Sequence, residues 1–399
     1  MRLGSLEIRP FSPADDIKAE LDLSIRAFGP ISAARRPGWA ASVQASVDAR
    51  QIFGVFDGTR LVASARYHPM RQWWNGRSLP MAGVAGVKVA PEERGRGVGR
   101  AMMSALLTEM AAQGYAVSVL FPTIAPLYRA AGWEFAGGLY EAVLPSHALR
   151  ALTPAVGHDA TAVKFRRATP ADDAAVVDVL DRVHQAMRSC GPNTREPAAM
   201  TRWLDDEDHF TYLADDGFLS YRWVNGHDQV DVQVLAAASA ATARAFWHIV
   251  ASHATMADRV RARVAPDDAV TWLTKDPAAE IKRRETWMLR VIDAEGAIAG
   301  RGFPSGMSLA VPLEIADESL PANDGNWMLE VADGQARLAR SDNRAGSALK
   351  LGIRGFSALY AGVRLSTLRL AGLASGGDPA DDASLDSAFG GPAFMIDYF

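Results

Sequence analysis

The alternation of apolar and polar positions divides the chain into well-punctuated elements. Residues 84–89 form an apolar, β-branched run that ends before Pro91, which has no N–H to give a ladder, so they read as a buried strand. Met102, Met103, Leu106, Leu107 and Met110 recur at helical spacing and predict a helix from near Val98, with Gly114 as its stop. A second buried strand follows at 115–121, ended by Pro122, and then a short helix at 126–132. Upstream, residues 6–10 predict a strand. Ser12 as N-cap, with Asp15 and Asp16 in the first turn, opens a helix carried by Ile17, Leu21, Leu23 and Ile25. The runs 51–56 and 60–67 flank Asp57-Gly58, a specific hairpin signal.

The pattern then partly repeats. Residues 165–173 echo 8–16 at an offset of 157, and a second hairpin turn, Asp216-Gly217, follows the first at an offset of 159. The strand at 230–235 matches the one at 84–89, but Ala236-Ala237-Ala238-Ser239-Ala240-Ala241 follows it with no glycine. From residue 287 the character changes again. Strands are expected at 287–293, 309–315, 327–331 and 335–340, with turn signals at Asn323-Asp324-Gly325-Asn326 and Asp333-Gly334, and helices at 353–360 and 384–389. The expected units are therefore 1–150, 160–286 and 287–399.

Composition narrows the class. With 399 residues, 49% of them hydrophobic, the chain is long enough for two or three domains with sizeable cores. A net charge of −4 argues against a general nucleic-acid binder. The single cysteine, Cys190, excludes an internal disulfide and fits a reducing compartment; with no histidine near it in sequence, it reads as inert. The first residues lack the apolar core of a secretory leader, and no apolar run is long enough to span a membrane, so the cytoplasm is the expected place. The acidic run 205–208 reads as a solvated loop, and no metal is expected.

The chemistry concentrates between the strand at 84–89 and the helix after it, in Arg94-x-x-Gly97-x-Gly99. Glycines let the backbone approach a ligand closely, and the N–H groups of a helix start point at it. Arg94, Arg96 and Arg100 add positive charge, which suits a pyrophosphate. A P-loop is excluded because no Gly-Lys-Ser/Thr ends the run, and a dinucleotide fingerprint because Arg100 stands where its third glycine belongs. A glycine-rich turn that binds nothing is the alternative. The motif resembles the acyl-CoA loop of the GNAT N-acetyltransferases. Ala125-Pro126-Leu127-Tyr128, continuing to Gly132-Trp133, resembles that family's second signature about thirty residues on.

The whole chain resembles the enhanced-intracellular-survival (Eis) family of GNAT N-acetyltransferases, most specifically at 87–91, 94–100 and 125–128. The resemblance implies an α/β (α+β) architecture of tandem GNAT folds, the N-terminal one active and the central one degenerate, followed by a sterol-carrier-protein-like α+β domain. A generic α+β interaction domain is the alternative for that last unit. The family acetylates amines with acetyl-CoA, often at several positions of aminoglycosides, and assembles as hexamers. Its tyrosine, here Tyr128, lies near the thioester sulfur, where it is a candidate general acid. Its terminal α-carboxylate, here that of Phe399, acts as general base.

The coenzyme is expected at Arg94, Gly95, Arg96, Gly97, Val98, Gly99 and Arg100, with Thr123 and Ile124 beside them and the backbone of Val87, Lys88 and Val89 as donor to the thioester carbonyl. An α-carboxyl ordinarily titrates near ~3.5, so partial burial beside Tyr398 is expected to raise the Phe399 group. The terminal residues 394–399 are apolar and aromatic where most termini are polar, so they are expected to dock. For the amine substrate, Asp397 is the nearest carboxylate, and Phe28, Trp39, Trp73 and Trp74 are candidate walls. A protein lysine or a small polyamine is the alternative acceptor. From another class, a lipid-binding or interaction protein using the tail domain remains the rival.

Overall fold

The computed structural model describes residues 2–15, 17–152, 163–224, 226, 228–275, 279–342 and 347–399. The sequence echo between 8–16 and 165–173 is a repeated piece of structure. Arg9 donates to both oxygens of Asp15 at 2.7 and 2.8 Å, and Asp15 accepts the Ser12 N–H at 2.6 Å. Arg166 holds Asp172 the same way at 2.9 and 2.6 Å, and Asp172 accepts the Thr169 N–H at 2.8 Å. In both copies the motif closes the turn before a helix. Ser12 therefore caps this turn rather than the helix itself, which begins at Ile17.

The first copy runs β1 (Arg2–Leu3), β2 (Leu6–Pro10), α1 (Ile17–Phe28), α2 (Arg36–Asp48), β3 (Ile52–Asp57), β4 (Arg60–Trp74), β5 (Arg77–Val89), α3 (Val98–Ala112), β6 (Val117–Leu120), α4 (Ala125–Arg129) and β7 (Glu134–Pro145). Strands β3, β4 and β5 are buried on both faces, hence their nearly continuous apolar runs. On one face α3 packs Val98, Met102, Leu106 and Met110; on the other, Leu23 of α1 and Val43 and Val47 of α2 close a smaller core.

Among the described residues the second copy follows this order without a counterpart of β1 and with one strand, β9, added between its first two helices: β8 (Phe165–Arg167), α5 (Asp173–Met187), β9 (Cys190–Arg195), α6 (Pro197–Leu204), β10 (Phe210–Ala214), β11 (Gly217–Val224), β12 (Gln229–Ala237), α7 (Ala240–Ala251), β13 (Arg259–Val264), α8 (Val270–Leu273) and β14 (Glu280–Val291). The acidic run 205–208 is an exposed loop.

The two copies exchange their last strands. β14 inserts between β6 and β7, pairing Met288 with Leu120 and Trp287 with Gly137, while β7 pairs with β13. The result is one 14-stranded sheet ordered β1-β2-β3-β4-β5-β6-β14-β7-β13-β12-β11-β10-β8, with β9 added to the far half of β4. This corrects the expectation that 287–293 opens the tail domain: residues 287–291 finish β14 in the long sheet. Period alone could not show it, because a strand reads the same whichever neighbour it pairs with.

The tail domain contains α9 (Ala294–Gly300), β15 (Leu309–Ala316), β16 (Gly325–Ala332), β17 (Gln335–Arg340), β18 (Leu349–Gly352), α10 (Ile353–Tyr360), α11 (Leu365–Leu370), β19 (Ala374–Gly376) and α12 (Pro379–Phe389). Its sheet, ordered β17-β16-β15-β18-β19, shares a core with Met81, Val117, Trp287 and Leu289 of the long sheet. A buried ion pair fixes the two together. Arg290 on β14 donates to Asp317 at 2.7 Å, both side chains fully buried. Within the tail Arg301 donates to the carbonyls of Tyr360 and Phe389 at 2.7 and 2.8 Å, and its guanidinium meets the long sheet through the Trp74 ring of β4. Among the described residues no helix is long and apolar enough to cross a membrane.

Candidate active site

In the first copy, β5 and β6 pair in parallel only from Met81↔Val117 to Gly83↔Val119. β5 runs on to Val89, so its last residues part from β6 and face a cavity of about 590 Å³. Opposite, the ladder with β4 shifts register between Ser64 and Arg66, and Gly86 adopts φ +61°. That bulge turns the strand end towards the opening.

The glycine loop borders the same cavity. Gly97 stands at the N-terminus of α3 with φ +78° and Gly95 has φ +79°, a region open to glycine at little cost. A Cβ at either would meet open space, so bare backbone faces the cavity. At Gly99 a Cβ would lie 3.4 Å from Val89 and 3.5 Å from Leu127, so the helix start sits close against strand and α4. α3 has no side-chain cap, which leaves its first N–H groups for a ligand. Val87, Lys88, Val89, Arg94, Gly95, Gly97, Val98, Gly99, Arg100, Thr123 and Ile124 all line this cavity. Arg96 does not; its guanidinium turns to Glu93. These residues fit a pyrophosphate: free helix-start donors, glycines without Cβ obstruction, and arginines at the mouth.

Tyr128 on α4 lines the inner wall, 6% exposed, and burial pushes its phenol up to about 12. Phe28 stands at the mouth, 60% exposed. The other aromatic walls expected from the sequence are elsewhere. Trp39 is partly buried against the smaller core under α1 and α2, and Trp73 and Trp74 are buried, Trp73 donating to Thr194 at 2.9 Å.

The C-terminal residues are docked. Phe394 donates to Cys190 and Met395 to Gly138, each at 3.0 Å. The Phe399 ring lies where a Cβ on Gly83 would approach it to 2.7 Å, at the last β5–β6 pair, and Phe121 packs against both Tyr398 and Phe399. Asp397 is not an open carboxylate for substrate: Arg195 donates to it at 2.7 Å and Asn193 at 3.1 Å. Burial alone would raise its pKa; the Arg195 guanidinium, together with the Asn193 hydrogen bond and the Arg263 charge, holds it below the ordinary value.

Sequence reasoning passed over Glu20. It is buried on α1, 2.6 Å from the Lys88 ammonium, and accepts from Ser64 at 2.7 Å. Its signal was its phase: Glu20, Leu23, Ser24 and Ala27 share the inward face of α1. The Lys88 side chain is thus held by Glu20, and burial pushes its pKa down. Beside this pair Arg66 donates to Ser42 at 3.2 Å, and burial pushes the His68 imidazole down to about 3.

The second copy shows the same strand parting, since β12 pairs with β13 only as far as Val232↔Ala262. Its helix start is self-satisfied. Ser239 accepts the Thr242 N–H at 3.2 Å, and the Ala238 N–H is spent on Asp216 at 2.9 Å. Its loop lacks the glycines that bare the backbone in the first copy.

Fold and site together define a GNAT N-acetyltransferase with tandem GNAT domains and a sterol-carrier-like tail. Residues 7–136 and 179–291 each match the acetyltransferase (GNAT) domain, and 294–395 match the sterol carrier protein domain. The crystal structure of a GCN5-related N-acetyltransferase from Kribbella flavida is similar at 40% identity and TM-score 0.91, covering 99% of this chain and 98% of that one. N-acetyltransferase Eis from Mycobacterium tuberculosis is 26% identical over 84% of this chain and 85% of its own length. Eis1 from Mycobacterium abscessus shares the fold at TM-score 0.77 and 22% identity, over 98% of this chain and 100% of that one. The chain belongs to the Eis-like family of GNAT N-acetyltransferases.

Proposed function

We propose that the first copy transfers acetyl from acetyl-CoA directly to an amine. The observation that carries this is the single cavity bounded by the uncapped glycine-rich start of α3, the parted end of β5 and the buried Tyr128. Bound there, the coenzyme supplies an activated thioester. The loop N–H groups, Arg94 and Arg100 hold its phosphates. The backbone at 87–89, without β6 partners, offers N–H donors to a developing oxyanion. Tyr128 stays protonated at neutral pH and gives its proton to the departing thiolate. The Phe399 carboxylate takes the proton of the incoming ammonium; its support is the aromatic ring seated at the parting strands.

For the acceptor, aminoglycosides are the first class by likeness to the family. A second reading, an amine that carries a neighbouring acidic group, is favoured by Arg66. No carboxylate among the described residues stands within ion-pair distance of its guanidinium, and the nearby carboxylate, Glu20, is taken by Lys88 and Ser64. By the same likeness the chain forms a homo-oligomer, a hexamer, which light scattering checks.

The test is a panel of aminoglycosides, linear polyamines, lysine peptides and amino acids with acetyl-CoA, read by thiol release. Acetyl-CoA-dependent thiol release with at least one amine is expected. Acetyl-CoA that neither binds nor reacts with any of them overturns the proposal. Rates confined to amino acids select the second acceptor class.

A further inference from the structure

In the first copy the place where the central strands part is open to a ligand. In the second copy the chain's own terminus passes it. Ile396 lines both cavities flanking the end of β12, one of about 410 Å³ and one of about 30 Å³. Its carbonyl accepts from Arg263 at 3.0 Å, and Arg263 is the residue of β13 directly after the last β12 pair. One residue on, Asp397 meets Arg195 and Asn193 of β9. β9 leaves the second copy to pair with β4 of the first, setting Arg195 opposite Met70, and the Met70 methyl touches the spot where the Phe399 ring packs.

We infer that the second GNAT copy is a receptor for the chain's own C-terminal tail, and that Arg195 is the positioning residue that sets Phe399 at the parting strands of the first copy. The part concerning rate rests on the Phe399 carboxylate being the base. The docking itself does not. Physically, a bidentate ion pair, partly buried on both sides and shared between β9 and the tail, fixes register as well as contact. Asp397 lies two residues before the terminus, so little freedom remains between the anchor and Phe399. The second copy's lost glycines then follow: a cleft that receives a peptide of its own chain has no use for bare helix-start N–H groups.

The test uses Arg195→Met and Arg195→Lys in the full chain, with Asp397→Asn as a second disruption should Arg195→Met fail to fold. Amide hydrogen exchange at Phe394 and Met395 reads docking directly. It should quicken in Arg195→Met and Asp397→Asn and return towards the parent rate in Arg195→Lys. The kcat of Arg195→Met should fall by about 10²-fold, the scale of an ångström misplacement, with acetyl-CoA affinity unchanged. In a chain extended by one residue beyond Phe399, Arg195→Met should cause no further loss. Parent-like exchange in Arg195→Met overturns the receptor role, whatever the rate. A slow extended chain beside a full-rate Arg195→Met leaves the base reading standing and overturns the positioning role. A full-rate extended chain removes the base reading, while quickened exchange still upholds the receptor.

Discussion

The two GNAT copies share a scaffold and differ at one end of it. Both begin with an arginine–aspartate turn, both run through an Asp-Gly hairpin, and both have a central strand that parts from its parallel neighbour. In the first copy α3 starts on Gly97 with no side-chain cap, and a cavity of about 590 Å³ opens beside it. In the second, Ser239 caps α7 and the terminal segment runs past the strand end, lining the cavities beside it. The lesson is that the fold supplies the parted strands for structural reasons, and chemistry enters only where helix-start donors are left unmet.

The comparison can be broken most sharply at the loop. Gly97→Val places a β-branched side chain at φ +78° and into the cradle, so acetyl-CoA binding should be lost in calorimetry. Ala238→Val, beside the matching helix start in the second copy, should leave the affinity and the one-per-chain stoichiometry as they were. Two binding events in the parent chain, or loss through Ala238→Val, would reverse the assignment of the copies.

Next in size is Tyr128→Phe, which removes one hydroxyl from the first copy only. Acetyl-CoA should still bind while kcat falls by about 10²–10⁴-fold. With the phenol pushed up to about 12, its protonated form persists across an ordinary assay range, so Tyr128 should give no alkaline fall in kcat below about pH 10. A parent-like rate in the Phe variant would show that the ring packs and the hydroxyl is idle.

The smallest effects lie where the copies agree. Asp15→Asn and Asp172→Asn each loosen a turn before a helix and should lower stability by a similar ~0.5–2 kcal/mol in denaturant titrations. The sign with pH follows from Arg9, whose hydrogen bonds hold Asp15 down to about 2 from an ordinary 3.8. That stabilisation is complete above about pH 4 and is lost as pH falls through about 2. Asp15→Asn should flatten part of the acid limb. An unchanged limb would mean the motif survives in the unfolded chain.

Much of this was legible in the sequence because it is local. The glycine loop, the helix start at Val98, the hairpin turns and the repeat each depend on residues a few positions apart. The docked terminus was also legible, since an aromatic end has little reason to sit in water. Three features were not. The exchange of β7 and β14 depends on which strand pairs with which, and apolar runs carry no such label. Glu20 sits in phase with the inward face of α1, but a carboxylate there gains meaning only from Lys88, which lies far along the chain. Asp397 looked like an open carboxylate because its partner, Arg195, is 202 residues away in the second copy.

The central claim is that the first copy does the chemistry with a base delivered by the end of the chain. Its most direct test is the steady-state kcat of a chain carrying one extra residue after Phe399, with acetyl-CoA affinity measured alongside. The added peptide bond turns the terminal carboxylate into a neutral amide and moves the new carboxylate up to about 3.5 Å away, beyond hydrogen-bond reach. Unchanged acetyl-CoA affinity with kcat lowered by about 10²-fold or more is the predicted result. An extended chain that acetylates its amine at the parent rate would contradict it.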